Sequence, residues 1–128
     1  MAGLHNWIGW LMVVVFLATG QYMRYVHDPP VAQLDSGLRM LFRSRHIYLL
    51  LVGLLNLMVG LKGAIGGPVW LQRLAAGLLI ASCALVLAAF AVETSLLRAP
   101  TPLSIYGIQA AFAGAVCYLV ANRLAVTS

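Results

Sequence analysis

Long apolar runs alternate with short polar segments along the chain. In an α-helix, which rises 1.5 Å per residue, about 20 residues cross the hydrocarbon core of a bilayer. The apolar runs are close to this length, although the second is shorter than the others. The pattern therefore predicts four transmembrane helices, at about residues 4–23, 46–61, 69–92 and 103–121.

The longest polar stretch separates the first two runs. Pro29 and Pro30 end the first helix, because proline has no backbone N–H and restricts the residue before it. Residues 33–45 then follow an amphipathic pattern, in which Asp35 and Arg39 have the spacing of an i,i+4 ion pair. This lead-in either lies at the membrane interface or forms the first turns of helix two.

A secretory signal peptide is the alternative interpretation of the first run. The six residues that open the chain contain no Lys or Arg, and the run is long for the apolar region of a signal peptide. We therefore expect a retained helix.

The composition excludes a soluble domain. Hydrophobic residues make up 62% of the 128 residues and charged residues only 9%, whereas soluble domains carry about 25% charged residues. The net charge of +5 comes from eight basic residues scattered at segment ends, so the chain has no basic stripe of the kind that binds nucleic acid. The sequence predicts one all-α domain over residues 1–128, an integral membrane, up-down four-helix bundle with short loops in a lipid bilayer.

Small residues and basic residues predict how the helices pack and how they are oriented. Small side chains let helices approach closely in lipid, so we expect helices three and four to pack tightly. Loops one and three hold five of the basic residues and the opposite side holds three, which favours cytoplasmic loops one and three and external termini in a bacterial inner membrane. The predicted small-residue stripes are Gly107, Ala111 and Ala115 on helix four, and Gly77, Ala81, Ala84 and Ala88 on helix three.

Polar residues gather where helix one ends and helix two begins. Arg39, Arg43 and His46 have the i, i+4, i+7 spacing of one helical stripe. His5 cannot join them, because it stands at the other end of helix one, about 33 Å of helix away from His27. The candidate cofactor-binding residues are Met23, Arg24, His27, Arg39, Arg43, His46 and Tyr106, with His46 as the metal ligand if haem is bound.

Three functions are compatible with this cluster. The first is a small non-catalytic binding or accessory subunit, which we expect to form a homo-oligomer or part of a larger membrane complex. The second is an electron-transfer module that binds haem b or quinone, with His46 joined by Met23 or His27 as axial ligands and arginines on the propionates. The third is a small-solute transporter, although no charged residue lies in the middle of a predicted span.

The remaining polar groups point to structure rather than to catalysis. Ser104 has no base near it in the sequence, and no hydrolase motif is present. Asn56, deep in helix two, is expected to form an interhelical hydrogen bond. Cys83 and Cys117 should differ in depth by roughly 10 Å, too far for a disulfide, so two free thiols are expected.

Overall fold

A computed structural model describes residues 1–63, 66–93 and 102–127. Each of its four helices is long and apolar enough to cross a membrane, which confirms the predicted all-α four-helix membrane bundle. A π-helical turn, Tyr22–Val26, extends the first helix, and a short 3₁₀ turn, Val31–Gln33, follows it. The helices are α1, Ala2–Gln21; α2, Ser36–Lys62; α3, Val69–Glu93; and α4, Pro102–Thr127.

Helix α2 begins ten residues before the predicted boundary at residue 46, because Asp35 caps it. The Asp35 carboxylate accepts hydrogen bonds from Gly37 N at 2.9 Å and Leu38 N at 3.1 Å, which satisfies backbone donors of the first turn. Most of the lead-in therefore belongs to α2. The prediction of an Asp35–Arg39 ion pair is wrong, because Arg39 Nη1 instead donates to the carbonyl oxygen of Ala32, at 3.3 Å.

Helices α1 and α2 form a close antiparallel hairpin built on glycine. A Cβ at Gly9 would come within 2.5 Å of Leu57, and one at Gly53 would lie 2.8 Å from Met12. Residues further along α1 thus contact residues nearer the start of α2, so the two helices run antiparallel. Because a methyl group has no room at either glycine, this seam depends on their missing side chains.

Helices α3 and α4 form the second hairpin. The small residues predicted at their interface lie there on α4, but most of those predicted on α3 do not. Gly107 lies so close to α3 that a Cβ there would be 2.8 Å from Val86, and Ala111 is only 2% exposed. On α3, however, Gly77, Ala81 and Ala84 are exposed rather than packed against α4. Close approach needs small residues on only one helix, and here the larger side chains of α3 fill the space above the glycines of α4.

The two hairpins pack together along α2 and α3, which occupy the centre of the bundle. A continuous apolar core lies between them, made of Met12, Leu49, Val52, Cys83, Val86 and Ala111. Outward-facing apolar side chains such as Trp7 on α1 and Phe112 on α4 are more than two thirds exposed. These surfaces suit lipid, where exposed apolar groups carry no hydration penalty.

Candidate functional site

A buried ion pair joins the two central helices at the membrane face where α1 ends and α2 begins, which we call the loop-one face. Arg45 Nε donates to Glu93 Oε2 at 3.0 Å, and the two side chains are 2% and 4% exposed. In the sequence, both residues stand at the ends of apolar runs, where charged side chains usually reach the membrane interface. In the structure, however, both side chains turn inward and are withdrawn from lipid and water.

Glu93 also caps α4, which starts next to it in space. Its Oε1 accepts hydrogen bonds from Leu103 N at 2.8 Å and Ser104 N at 3.3 Å, two donors that have no partner within their own helix. The Ser104 hydroxyl donates to Oε2 of the same carboxylate. Ser104 therefore does have a carboxylate beside it, contrary to expectation, and the acceptor positions of Glu93 are fully used.

The guanidinium of Arg45 is only partly satisfied by these contacts. Its Nε donates to Glu93 and, at 3.3 Å, to the Ser104 oxygen. Its Nη1 and Nη2 atoms are buried and have no hydrogen-bond partner among the described residues. Since a buried donor without a partner costs about 1–3 kcal/mol, and more when it is charged, this fork is an unusual feature for a purely structural contact.

A cleft of about 350 Å³ opens beside Arg45 between α2 and α4. Serine, tyrosine and glutamine side chains add polarity near the arginine, while leucine and isoleucine line the rest. The cleft can therefore hold a molecule with a hydrogen-bond acceptor at one end and an apolar body. Its lining residues are Leu41, Ser44, Arg45, Tyr48, Ser104, Ile105, Ile108 and Gln109.

His46, the proposed haem ligand, turns towards α1. Its Nδ1 lies 3.0 Å from the Thr19 hydroxyl, and its ring stacks on Phe16 with the centroids 4.1 Å apart. The edge that carries Nε2 lies against Gly20, where a methyl group would come within 3.4 Å of that nitrogen. The hydrogen-bond partner of His46 is thus Thr19 on α1.

His27 is held apart from His46 by different neighbours. Its Nδ1 lies 2.7 Å from the carbonyl oxygen of Pro29, and its ring meets Phe42 edge-on at a centroid distance of 5.0 Å. Met23 lies half-buried in the π-helical turn that precedes it. No contact recorded for the described residues joins these two side chains to His46.

The other predicted site residues spread over the outside of the loop-one face. Arg24 lies 5.1 Å above the ring of Tyr25, and Tyr106 on α4 is 59% exposed. Arg39 and Arg43 line a shallow outer groove on α2. Arg98, which contributes to the charge count of loop three, lies outside the described residues.

Helical phase is the signal that could have identified the buried pair from the sequence. Leu49, Val52 and Asn56 are fully buried and recur every three to four residues on α2. Continuing this stripe towards the start of the helix reaches Arg45, whereas Arg43 falls on the outer face. Opposite charge at the end of α3 then makes Glu93 the natural partner.

Asn56 forms the interhelical hydrogen bonds expected from its position deep in α2. It lies 2.7 Å from Nδ1 of His5 on α1 and donates to Cys83 Sγ on α3 at 3.1 Å. Both thiols, Cys83 and Cys117, are free. Among the described residues, no three His, Cys, Asp or Glu side chains are grouped as a metal site.

Comparison with known protein families, curated proteins and solved structures gave no match.

Proposed function

We propose that this chain is a small membrane-embedded binding subunit that holds a neutral, lipid-soluble molecule of the quinone class in the cleft beside Arg45. The observation that carries the proposal is the buried Arg45 fork, whose two Nη atoms have no hydrogen-bond partner among the described residues. A quinone carbonyl oxygen would accept hydrogen bonds from this fork, and the aliphatic walls of the cleft would contact the ring and the start of its tail.

The charge balance of the site favours a neutral ligand over an anion. Glu93 already neutralises Arg45 at 3.0 Å, so a bound carboxylate or phosphate would leave an uncompensated negative charge in a dry site. The polar groups left free on Arg45 are donors only, and the acceptors of Glu93 are occupied. A carbonyl oxygen is both uncharged and a hydrogen-bond acceptor, so it fits this site.

The cleft also provides an entry path from the bilayer. Its α4 wall includes Ile105, which is 53% exposed, so the apolar end of a ligand can extend directly into lipid. Tyr48 on the α2 wall offers an aromatic face near the arginine. This arrangement suits an amphipathic molecule that partitions into the membrane before it binds.

The haem and transport alternatives have less support. A bis-axial haem site needs two ligands that face each other, but the recorded contacts of the described residues hold His46 at Thr19 and His27 at Pro29 and Phe42. A transport pathway would need polar groups across the bundle, yet the apolar core around Leu49 and Val52 separates Arg45 from Asn56.

The cellular setting is part of the same proposal. The subunit would reside in a bacterial inner membrane with loops one and three in the cytoplasm, as the basic residues favour, and would work as an oligomer or within a larger complex. Placing a single cysteine at the exposed Arg43, in a background with Cys83 and Cys117 replaced by serine, tests the orientation. An impermeant maleimide should label it in inverted vesicles and leave it unlabelled in intact cells.

Binding of decylubiquinone to the protein in nanodiscs tests the site. Arg45→Lys keeps a positive charge beside Glu93 but removes the planar fork, so it should weaken binding about tenfold to a hundredfold, the equivalent of a lost charge-assisted hydrogen bond. Arg43→Lys, the same change on the exposed face two residues away, should leave the affinity unchanged.

The proposal fails if decylubiquinone shows no saturable binding to the wild-type protein, or if the Arg45→Lys variant retains wild-type affinity while remaining folded. It also fails if short-chain phosphatidylglycerol displaces the quinone at equal concentration, because that result would identify a phosphate site.

A further inference from the structure

A second cavity lies at the opposite membrane face, where α1 begins and α2 ends. It has a volume of about 330 Å³, roughly that of ten water molecules, and all four helices contribute to its wall. His5 lines it although this side chain is only 2% exposed, and Tyr118 of α4 lines it at 8% exposure. The function proposed above uses none of these groups.

The hydrogen bonds of Asn56 fix which nitrogen of His5 carries a proton. Asn56 Nδ2 donates to the carbonyl oxygens of Val52 at 2.9 Å and Leu79 at 3.3 Å, so its oxygen is the atom that faces His5. That oxygen can only accept, which places the proton on His5 Nδ1 at 2.7 Å. The nitrogen left to accept a hydrogen bond is Nε2, for which no partner is recorded among the described residues.

Gln72 on the cavity wall also presents a hydrogen-bond acceptor. Gln72 commits its Nε2 to the carbonyl oxygen of Gly67 at 2.9 Å, which leaves its side-chain oxygen as an acceptor. Among the residues that the structure describes, no Asp, Glu, Lys or Arg side chain lines the cavity. A buried ammonium would therefore lack a counter-ion, and a carboxylate has no hydrogen to donate to His5 Nε2, whereas a neutral molecule with a hydroxyl or N–H group meets both conditions.

From these observations we infer that the cavity is a second ligand site, which binds a small neutral molecule through a hydroxyl or N–H group donated to His5 Nε2. Asn56 acts as a positioning residue, because it holds the imidazole in the required tautomer. The apolar part of the wall, formed by Val59, Ala76 and Leu79, accepts the rest of a ligand about the size of one substituted ring. This site recognises a donor, whereas the cleft at Arg45 recognises an acceptor.

A matched pair of probes tests this inference on the unmodified protein. We would titrate 4-propylphenol, and separately 4-propylanisole, which lacks the hydroxyl donor, into protein in nanodiscs labelled with ¹⁵N at its histidines. The phenol should shift the Nε2 resonance of His5 saturably and leave that of His46 unchanged. The anisole should bind at least tenfold more weakly.

Two variants on α3 provide the control for site location. Ala76→Leu should fill part of the cavity and weaken phenol binding at least tenfold, while Ala81→Leu, on the exposed face of the same helix, should not. Equal binding of phenol and anisole, a shift confined to His46, or unchanged binding in a folded Ala76→Leu variant would overturn the inference. Because Arg45→Lys should not affect this titration, failure here is separate from failure of the quinone site.

Discussion

Glu93→Gln should destabilise the protein far more than its small change in shape suggests. The wild-type carboxylate accepts from Arg45, from the Ser104 hydroxyl, and from the backbone N–H groups of Leu103 and Ser104. An amide keeps one oxygen for the α4 cap but presents an NH₂ group to the guanidinium. Arg45 would then remain charged, buried and without a counter-ion.

The expected loss is about 3–5 kcal/mol, the range measured when one partner of a buried ion pair is removed. Reversible unfolding in mixed detergent micelles would measure it. Asp35→Asn is the matched control, because the exposed Asp35 caps α2 and asparagine caps a helix about as well. That control should change the free energy of unfolding by no more than about 0.5 kcal/mol.

The double variant Arg45→Met, Glu93→Gln separates the charge effect from the cap. It removes the stranded cation, so more than half of the lost stability should return. If Glu93→Gln costs no more than Asp35→Asn, the pair is not buried as described. If the double variant is less stable than Glu93→Gln alone, stranded charge is not the cause.

The packing and the thiols give three further predictions. Gly107→Ala should destabilise the α3–α4 hairpin by about 1–3 kcal/mol, whereas Gly77→Ala, which has open space around it, should be neutral or stabilising. Equal melting temperatures of the two variants in detergent would contradict the described packing of α3 on α4. Asn56→Leu should cost about 1–2 kcal/mol in the same unfolding assay, because it strands the Nδ1 proton of His5, and a neutral result would contradict the hydrogen-bond geometry. In folded protein, N-ethylmaleimide should modify the half-buried Cys117 before the buried Cys83. After denaturation, mass spectrometry of the intact protein should show two modified thiols, and a disulfide between them would refute the helix register.

The fold was largely predictable because hydropathy alone identifies helices that cross a membrane. The start of α2 was not, since three arginines interrupt its apolar pattern before residue 46. Asp35 is a residue type that caps helices and could have indicated this start, but it also has the i,i+4 spacing of an ion pair with Arg39. Local spacing could not decide between these two partners, and the geometry of the helix start did.

The site was less predictable, because basic residues at a membrane boundary look alike in the sequence. Arg43 and Arg45 are two positions apart, yet one faces outward and the other is 2% exposed. Only the phase of the helix relative to Leu49 and Val52 separates them. Contacts such as the Ser104 hydroxyl on Glu93 depend on how α3 and α4 meet in space, which spacing within either helix does not encode.

The most direct test of the proposed quinone site is the position at which a photoreactive azidoquinone becomes attached. After illumination in nanodiscs and digestion, mass spectrometry should find the label on the walls of the Arg45 cleft, on the peptides that contain Tyr48 and Ile105. Decylubiquinone should compete with this labelling, and Arg45→Lys should reduce it strongly. Labelling scattered over the lipid-exposed faces of α1 and α4, with no effect of competitor or of Arg45→Lys, would contradict the proposed site.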